Sequence, residues 1–160
     1  MSKQEVIICH DLDENLNKAI AQCPHDKLFV LVDEHTRELC IPVVSEFDCI
    51  KNAHFIYIGA EDVHKNLETL AYVWKELGDK GASRHSLLIN LGGGMVTDLG
   101  GFAASTFKRG IQYINIPTTL LAMVDASVGG KTGINFNGLK NEIYAVRGNC
   151  EAEVDQMVLE

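Results

Sequence analysis

Short apolar runs that alternate with helical patterns are the feature that most constrains this chain. Runs rich in β-branched and aliphatic residues are found, in order along the chain, at residues 6–9, 28–33, 55–59, 86–91 and 113–116. Several of them are apolar at nearly every position, which is typical of strands that are covered on both faces. Strands that alternate with helices form a parallel sheet. We therefore predict an α/β fold with a mostly parallel, Rossmann-like sheet and flanking helices.

The clearest helical pattern lies between the third and fourth runs. Its apolar residues are spaced by four, three, four and three positions, and form one stripe that consists of Val63, Leu67, Leu70, Trp74 and Leu77. We predict a helix over residues 62–77 that is ended by Gly78 and Gly81.

Charge and composition exclude several classes of function. The net charge of −8 argues against a nucleic-acid partner, which normally needs a basic face. No apolar run approaches the ~20 residues that span a bilayer, and the N-terminus lacks a secretion signal. Five cysteines, an odd number without a Cys-x-x-Cys pair, suit the reducing cytoplasm better than a disulfide framework.

A glycine turn follows the fourth predicted strand. Residues 87–98 read LLINLGGGMVTD, so that a buried strand leads into Gly92, Gly93 and Gly94 and then into a helix-compatible segment. The amide groups and dipole of a helix start favour an anion, and glycine lets a phosphate approach the backbone. Thr97 stands where the usual dinucleotide fingerprint has glycine or alanine. The turn alone therefore fits a phosphate site and a ligand-free turn equally well.

Two adjacent glycines, Gly100 and Gly101, lie within the helix predicted after this turn. Each costs about 1 kcal/mol relative to alanine in a helix interior. We expect a close neighbour to compensate for this cost, and we favour a packed helix over a ligand.

A second glycine-rich segment, residues 116–141, carries charged groups. It reads IPTTLLAMVDASVGGKTGINFNGLKN and contains Asp125, Lys131, Lys140 and Asn141. A nucleotide-binding P-loop is disfavoured because Asp125 stands where that motif has its first glycine. Two ammonium groups and an amide suit a ligand that carries phosphate and carboxylate. Each lysine alone is more often a solvated surface charge, but together they favour a binding site.

The remaining polar residues give weaker signals. Thr118 and Thr119, which follow Pro117, either cap a helix or contact the sugar of a ligand. The six histidines are scattered, without a His-x-His pair or a His-Glu-x-x-His helix. We therefore predict no metal site within this chain.

Three motifs between residues 92 and 141 occur together. They are GGGMVTDLGGFAASTFKRGI, then YINIPTTLLAMVDASVGGKTGIN, then Leu-Lys-Asn. In order and spacing they closely resemble the motifs of the 3-dehydroquinate synthase family. The resemblance extends from about residue 30 to residue 143. It implies a dehydroquinate synthase-like N-terminal domain that binds NAD. In that family a C-terminal helical domain supplies one glutamate and two histidines to a divalent metal, zinc or cobalt.

The resemblance also implies a reaction of the shikimate pathway. The family converts 3-deoxy-D-arabino-heptulosonate 7-phosphate into 3-dehydroquinate and phosphate. NAD is reduced and reoxidised within one turnover, because oxidation at one carbon acidifies its neighbour and lets phosphate leave by β-elimination. We accordingly expect NAD as the cofactor, this phosphorylated heptulosonate as the substrate, and a homodimer.

The resemblance assigns roles to individual residues. It implies NAD contacts at Asp33, Lys65, Gly93, Gly94, Asp98, Thr118, Thr119, Lys131 and Lys140. Either Glu61 or Asp62 stands for a glutamate of the family, and the sequence leaves open which. Groups around the substrate are implied at Asp125, Lys131 and Asn141. Arg109 matches an arginine that reaches the substrate phosphate across the dimer.

The end of the chain departs from the family pattern. After residue 143 the sequence YAVRGNCEAEVDQMVLE is polar and acidic, with no strand period. We divide the chain into an NAD-binding α/β domain, residues 1–143, and an atypical tail, residues 144–160. We expect the metal-binding C-terminal domain to be absent from this chain, and the chain alone to be inactive.

Other functions remain open at this point. One is a sugar-phosphate cyclase of different specificity. Another is a glycerol-dehydrogenase-like oxidoreductase, which would share the glycine turn but should lack the SVGGKT loop. A third is a non-catalytic remnant that only binds nucleotide or dimerises.

Overall fold

Eight strands and five helices are found in the residues that the computed structural model describes, which are 5–127, 131–137, 139–146 and 154–159. The strands are β1 (Glu5–Cys9), β2 (Leu28–Asp33), β3 (His54–Ile58), β4 (Leu87–Gly92), β5 (Gln112–Pro117), β6 (Lys131–Phe136), β7 (Leu139–Val146) and β8 (Val154–Leu159). The helices are α1 (Leu12–Gln22), α2 (Glu34–Leu39), α3 (Ile41–Val44), α4 (Leu67–Asp79) and α5 (Gly94–Thr106).

A parallel sheet forms the centre of the fold, in the order β1-β8-β5-β4-β2-β3. Every pairing described within it is parallel, from β1 with β8 to β2 with β3. The predicted α/β fold with a parallel sheet is confirmed, and each of the five predicted strands lies within one residue of an observed one. Strands β6 and β7 form a separate antiparallel hairpin.

The helices cover both faces of the sheet, and β2 and β4 are buried at every position. One apolar cluster combines one face of the sheet with α1 and α3, and it includes Leu16, Ile20, Val30, Val32, Val44, Ile89, Leu91 and Ile114. The other cluster combines the opposite face with α4 and α5, and it includes Phe29, Leu31, Leu70, Val73, Leu77, Leu88, Leu99 and Tyr113. None of the helices described is long and apolar enough to cross a bilayer.

Helix α4 begins later than the sequence pattern indicated, so the predicted helix over residues 62–77 is wrong at its start. Residues Asp62–His64 form a short 3₁₀ turn, and Asn66 then caps α4 by accepting a hydrogen bond from the amide of Thr69 at 2.9 Å. Val63 is 68% exposed, so it does not belong to the buried stripe. An asparagine side chain that caps a helix competes with continuation of the helix toward its N-terminus.

The end of α4 distinguishes the two glycines that were predicted to terminate it. Gly78 lies inside the helix, whereas Gly81 has a φ of +73° just beyond it. The amide of Ala82 donates to the carbonyl of Leu77, and the amide of Gly81 donates to that of Gly78. This is the Schellman arrangement, which favours glycine at the left-handed position.

The two glycines within α5 permit close packing against strands. A Cβ at Gly100 would lie 2.0 Å from Oδ1 of Asn90 in β4, and one at Gly101 would lie 2.2 Å from Cγ2 of Thr132 in β6. The expectation of a close neighbour is therefore met by a sheet strand on one side and by the hairpin on the other. The packed helix that we favoured as this neighbour was the wrong element.

The chain after residue 143 contains strand structure, so our prediction of no strand there is wrong. Strand β7 continues to Val146, and β8 lies in the main sheet between β1 and β5. The sequence pattern did not indicate β8, because acidic residues interrupt the apolar residues of this segment. The proposed boundary between residues 1–143 and the tail, residues 144–160, stays a prediction.

The end of α4 yields a test of stability with an internal control. Gly81→Ala should lower the free energy of unfolding by about 1 kcal/mol, because a Cβ is strained in the left-handed region. Gly78→Ala should raise it by about 0.5 kcal/mol, because a helical site with open space around it gains from alanine. Urea unfolding measures both, and equal effects of the two substitutions would contradict this description of the helix end.

Candidate functional site

The glycine turn lies at the carboxyl edge of the sheet, where β4 ends at Gly92 and β5 ends at Pro117. These two residues are register partners, and the amide of Thr118 donates to the carbonyl of Gly92 at 3.0 Å. The segments that follow the two strands are therefore held side by side. In open α/β sheets, this edge is where ligands bind.

The N-terminus of α5 differs from those of α1, α2 and α4. Helices α1, α2 and α4 are capped by the side chains of Asp11, Asp33 and Asn66, and each has an acidic residue in its first turn. Helix α5 has Gly93 at its N-cap, with no side-chain cap and no acidic residue in its first turn. Its first amide groups therefore have no partner within the helix. A 13-residue helix that starts in this way fits an anion such as a pyrophosphate.

Thr97 does not obstruct this helix start. Its side chain is fully buried, and its hydroxyl lies 3.3 Å and 3.2 Å from the carbonyl oxygens of Gly93 and Gly94, to which it donates. The hydroxyl group thus bonds back to the first turn instead of pointing toward a ligand. This explains how the turn departs from the usual dinucleotide fingerprint without losing its shape.

The segment after β5 packs over the glycine turn. A Cβ at Gly93 would lie 3.2 Å from Cγ2 of Thr119, and one at Gly94 would lie 3.4 Å from Cβ of Ala126. Ala126 ends a π-helical turn, Ala122–Ala126, whose start is held by a hydrogen bond from the amide of Ala122 to Oγ1 of Thr119. Thr119 therefore caps this turn, which is one of the two roles that the sequence left open.

A buried ion pair joins the turn before α4 to α5. Lys65 donates from Nζ to Oδ2 of Asp98, and the two side chains are 4% and 17% exposed. Burial raises the pKa of Asp98 above its ordinary value, and the carboxylates of Asp125 and Asp62 act in the same direction, whereas Lys65 opposes them. Three other predicted site residues thus lie within electrostatic reach of Asp98.

Asn135 in β6 contacts the same cluster. Its amide Nδ2 donates to Oδ2 of Asp62 at 3.0 Å, and its backbone amide donates to the carbonyl of Lys65 at 2.7 Å. Asn135 was not among the predicted site residues, although it lies four residues after Lys131 in the motif that carries the resemblance. The side chain of Asp62 therefore contacts this cluster. Glu61 and Asp62 are both exposed, and Glu61 has a φ of +73°.

Asp33 ends β2, one strand away from the glycine turn. The neighbouring residues Val32 and Leu91 are register partners, so Asp33 lies level with Gly92 at a strand spacing of about 4.8 Å. The side chain is buried, and its Oδ1 accepts hydrogen bonds from the amide and hydroxyl of Thr36 at the start of α2. Asp33 is therefore at the predicted edge and also caps a helix.

The basic and amide residues of the hairpin are described only in their backbone. Lys131 begins β6, and Lys140 and Asn141 lie in β7, but the side chains of all three lie outside the described part of the structure. Strand β6 packs along α5, where Thr132 touches Gly101. The hairpin that carries these residues therefore adjoins the helix whose N-terminus is Gly94.

Arg109 lies at the opposite end of α5. The helix ends at Thr106 and the 3₁₀ turn Phe107–Arg109 follows, so Arg109 is about 20 Å from the glycine turn at 1.5 Å per residue. Lys108 and Arg109 both have positive φ, of 47° and 75°. Among the predicted site residues whose side chains are described, Arg109 is thus the one that this fold separates from the others.

No metal site is found in the part of the chain that the structure describes. There, no group of three or more histidine, cysteine, aspartate or glutamate residues is arranged to hold an ion. The acidic residues around Lys65 do not form such a group, and the residues present do not fit a catalytic metal.

Comparison with known sequences identifies close relatives. A family model described as 3-dehydroquinate synthase N-terminal matches residues 55–160. The chain is 55% identical over 143 residues to a 3-dehydroquinate synthase of Parabacteroides distasonis, a match that covers 89% of this chain and 40% of that protein. It is 39% identical over 145 residues to a 3-dehydroquinate synthase of Corynebacterium pseudotuberculosis, covering 90% and 40%. The chain therefore spans about two fifths of the length of these relatives.

Comparison with solved structures extends the similarity to other enzymes. The 2-epi-5-epi-valiolone synthase ValA from Streptomyces hygroscopicus, solved with NAD⁺ and Zn²⁺, has a TM-score of 0.81 and 28% identity over 100% of this chain and 43% of its own. A 2-deoxy-scyllo-inosose synthase complexed with carbaglucose-6-phosphate, NAD⁺ and Co²⁺ has a TM-score of 0.84 and 21% identity, covering 98% and 42%. Glycerol dehydrogenase from Schizosaccharomyces pombe reaches 0.67 at 15% identity, covering 100% and 38%, which indicates a shared fold alone.

The buried ion pair predicts an asymmetric response to removal of either partner. Asp98→Asn should cost about 3 kcal/mol of unfolding free energy, because it leaves the nearly inaccessible Lys65 ammonium unpaired. Lys65→Met should cost less, because Asp98 is more exposed and can take up a proton. In that variant the folded-state pKa of Asp98 lies above its unfolded value, so stability is fully present at low pH and is lost as the pH rises through the acidic range.

Urea unfolding at several pH values measures this response. The matched control is Lys75→Met, which breaks an exposed ion pair with Asp79 on α4 and should leave stability unchanged. Equal losses for Asp98→Asn and Lys65→Met at every pH would contradict the asymmetry.

Proposed function

The chain belongs to the 3-dehydroquinate synthase family, and we propose that it forms the NAD-binding part of such an enzyme. The observation that carries this proposal is the uncapped start of α5 at Gly93 and Gly94, which lies one strand from Asp33 and under the Thr119 segment. A helix start without its own cap or acid is suited to a pyrophosphate, and an acidic residue at the end of the neighbouring strand is suited to a ribose.

We assign the groups around the dinucleotide as follows. The first amides of α5 bind the pyrophosphate. The carboxylate of Asp33, which also caps α2, accepts a hydrogen bond from the adenosine ribose. Asp62, rather than Glu61, takes the place of the family glutamate, because its carboxylate accepts a hydrogen bond from Asn135 and lies close enough to Asp98 to raise the pKa of that residue. Thr118, Lys131 and Lys140 complete the proposed NAD contacts.

NAD, when bound, supplies reversible hydride transfer at one carbon of the substrate. The residues of this chain orient the cofactor and the substrate around that event. The buried pair of Lys65 and Asp98 holds its side chains in one geometry before any ligand arrives, which reduces the cost of ordering them on binding. Asp125 lies close enough to raise the pKa of Asp98, so we propose that Asp125 lies near the place where the substrate meets the cofactor.

We propose a phosphorylated heptulosonate, 3-deoxy-D-arabino-heptulosonate 7-phosphate, as the substrate. Lys131 and Asn141 of the hairpin are proposed to bind its charged groups. Arg109 is about 20 Å from the glycine turn, which supports the proposal that it acts on the phosphate bound by a second subunit of a homodimer. A cytoplasmic location is part of the proposal, and the odd number of cysteines supports it.

A zinc or cobalt ion belongs to the proposed enzyme but not to the part of this chain that is described. Solved structures with this fold are named with Zn²⁺ or Co²⁺. Because the described residues lack a ligand set, we propose that groups elsewhere in the enzyme hold the metal.

Replacement of Gly94 by aspartate tests the cofactor site. Gly94→Asp should weaken NAD binding at least tenfold, because a carboxylate at the first position of α5 repels the pyrophosphate. The same change should leave folding intact, because an acidic first turn suits the helix dipole and a Cβ there makes only ordinary contact with Ala126. Isothermal titration calorimetry with NAD measures the affinity.

Gly94→Ala is the matched control for Gly94→Asp, since it adds the Cβ without the charge. It should weaken NAD binding less than Gly94→Asp does, because its methyl group hinders the approach of a phosphate to the backbone but adds no repelling charge. If the unmodified chain binds NAD no better than an unrelated acidic protein does, or if Gly94→Asp binds as tightly as Gly94→Ala, the proposed site is wrong.

A nucleotide-binding role without turnover by this chain alone is the second candidate, favoured by the lack of a metal-ligand group among the described residues. We expect the chain, supplied with NAD, Zn²⁺ or Co²⁺ and the heptulosonate phosphate, to release no phosphate above the rate without protein. A colorimetric phosphate assay measures this. Sustained phosphate release by the chain would rule out the non-catalytic role.

A further inference from the structure

The β6–β7 hairpin packs against the rest of the fold through β6, whose Ile134 is buried in the apolar cluster that includes α4 and α5. It pairs with itself and not with the main sheet, and it carries Lys131, Lys140 and Asn141. Thr132 packs against Gly101, which sets how close the hairpin comes to α5. Near the other end of β6, Asn135 contacts the segment that precedes α4.

The contacts of Asn135 combine backbone and side-chain hydrogen bonds. Its backbone amide donates to the carbonyl of Lys65 at 2.7 Å, and it forms a parallel bridge with Asn66. Its side-chain Nδ2 donates to Oδ2 of Asp62 at 3.0 Å and lies 3.3 Å from the backbone carbonyl oxygen of Asp62. One residue of the hairpin thus binds both ends of the turn that contains Asp62 and Lys65.

That turn needs support from outside itself. It begins at Glu61, whose φ of +73° is unfavourable for a residue with a side chain, and its 3₁₀ hydrogen bonds end before Asn66 starts α4. Its other anchor is the ion pair from Lys65 to Asp98. Asn135 and Asp98 therefore hold the turn from two sides.

We propose that Asn135 is a positioning residue that couples the substrate-side hairpin to the cofactor-side turn. It fixes the direction of the Asp62 carboxylate and the height of Lys65 above α5, so that both face the dinucleotide when the hairpin is in place. This inference rests on the proposed function, and it assigns Asn135 no contact with the reacting atoms. Binding on the cofactor side is therefore linked to the position of Lys131, Lys140 and Asn141.

Asparagine suits this role because its amide group donates to a carboxylate and carries no charge of its own. Aspartate has nearly the same shape, but when ionised it cannot donate and repels Asp62. When protonated, its carboxyl group can donate to Asp62 again. The pH dependence of an aspartate variant therefore separates the hydrogen bond from the mere shape of the side chain.

The experiment compares NAD affinity by calorimetry for the unmodified chain, Asn135→Ala and Asn135→Asp at about pH 8 and about pH 4, the lower of which is close to the ordinary pKa of an aspartate carboxyl group. Asn135→Ala should weaken NAD binding about fivefold at both pH values, as expected for one lost hydrogen bond. Asn135→Asp should weaken it about tenfold at the higher pH and about twofold or less at the lower pH. Affinities are expressed relative to the unmodified chain at the same pH.

Asn17→Ala is the control for this comparison, because Asn17 is an exposed asparagine in α1 far along the chain from the site, and it should bind as the unmodified chain does. Thermal unfolding of each variant verifies that it is folded. If Asn135→Ala does not fold, the comparison of Asn135→Asp at the two pH values tests the inference alone, because aspartate keeps the shape of the side chain.

The outcomes separate this inference from the proposed function. If the unmodified chain binds no NAD, the proposed function fails and the inference fails with it. If the unmodified chain binds NAD and both Asn135 variants bind equally tightly, only the inference is overturned. A loss that is the same for Asn135→Asp at both pH values would likewise overturn it, because a purely structural role does not depend on the protonation of the new carboxyl group.

Discussion

The buried ion pair between Lys65 and Asp98 is the interaction on which the geometry of the candidate site depends. It joins the turn before α4 to the second turn of α5. The two residues are 33 positions apart in the chain. Because Lys65 is almost inaccessible to water, its charge is tolerated only with a partner. The pair therefore places Asp62 and the start of α5 at fixed positions relative to each other, and the β6 strand attaches to that arrangement through Asn135.

Much of the fold could be predicted because the central strands follow one simple physical rule. Strands β2 and β4 are buried on both faces, and so their sequences are apolar nearly throughout. Strand β8 escaped prediction because Asp155 and Gln156 interrupt its apolar residues. The start of α4 was misplaced because Val63 continues the helical spacing while Asn66 ends it, and a capping side chain overrides a periodic pattern.

The candidate site could be predicted in part, since glycine turns and charged loops are visible in the sequence. Gly93, Gly94, Asp33, Asp62, Lys65 and Asp98 all lie at one edge of the fold, although their roles toward NAD remain predictions. Asn135 was missed because an asparagine in a strand carries no distinctive signal until its partners are known. Glu61 and Asp62 could not be distinguished because side-chain direction at a turn depends on φ, which the sequence alone did not reveal.

The contact between Gly101 and Thr132 ties two distant positions together during evolution. A methyl group on residue 101 would overlap Cγ2 of Thr132, but serine at position 132 lacks that atom. Alanine at 101 should therefore be acceptable in descendants of this chain only after residue 132 has become smaller. A chain with alanine at 101 and threonine still at 132 would have its hairpin pushed away from α5. The exchange at 132 must therefore come first. Among descendants of this chain, a side chain at position 101 should be found only together with a smaller residue at position 132.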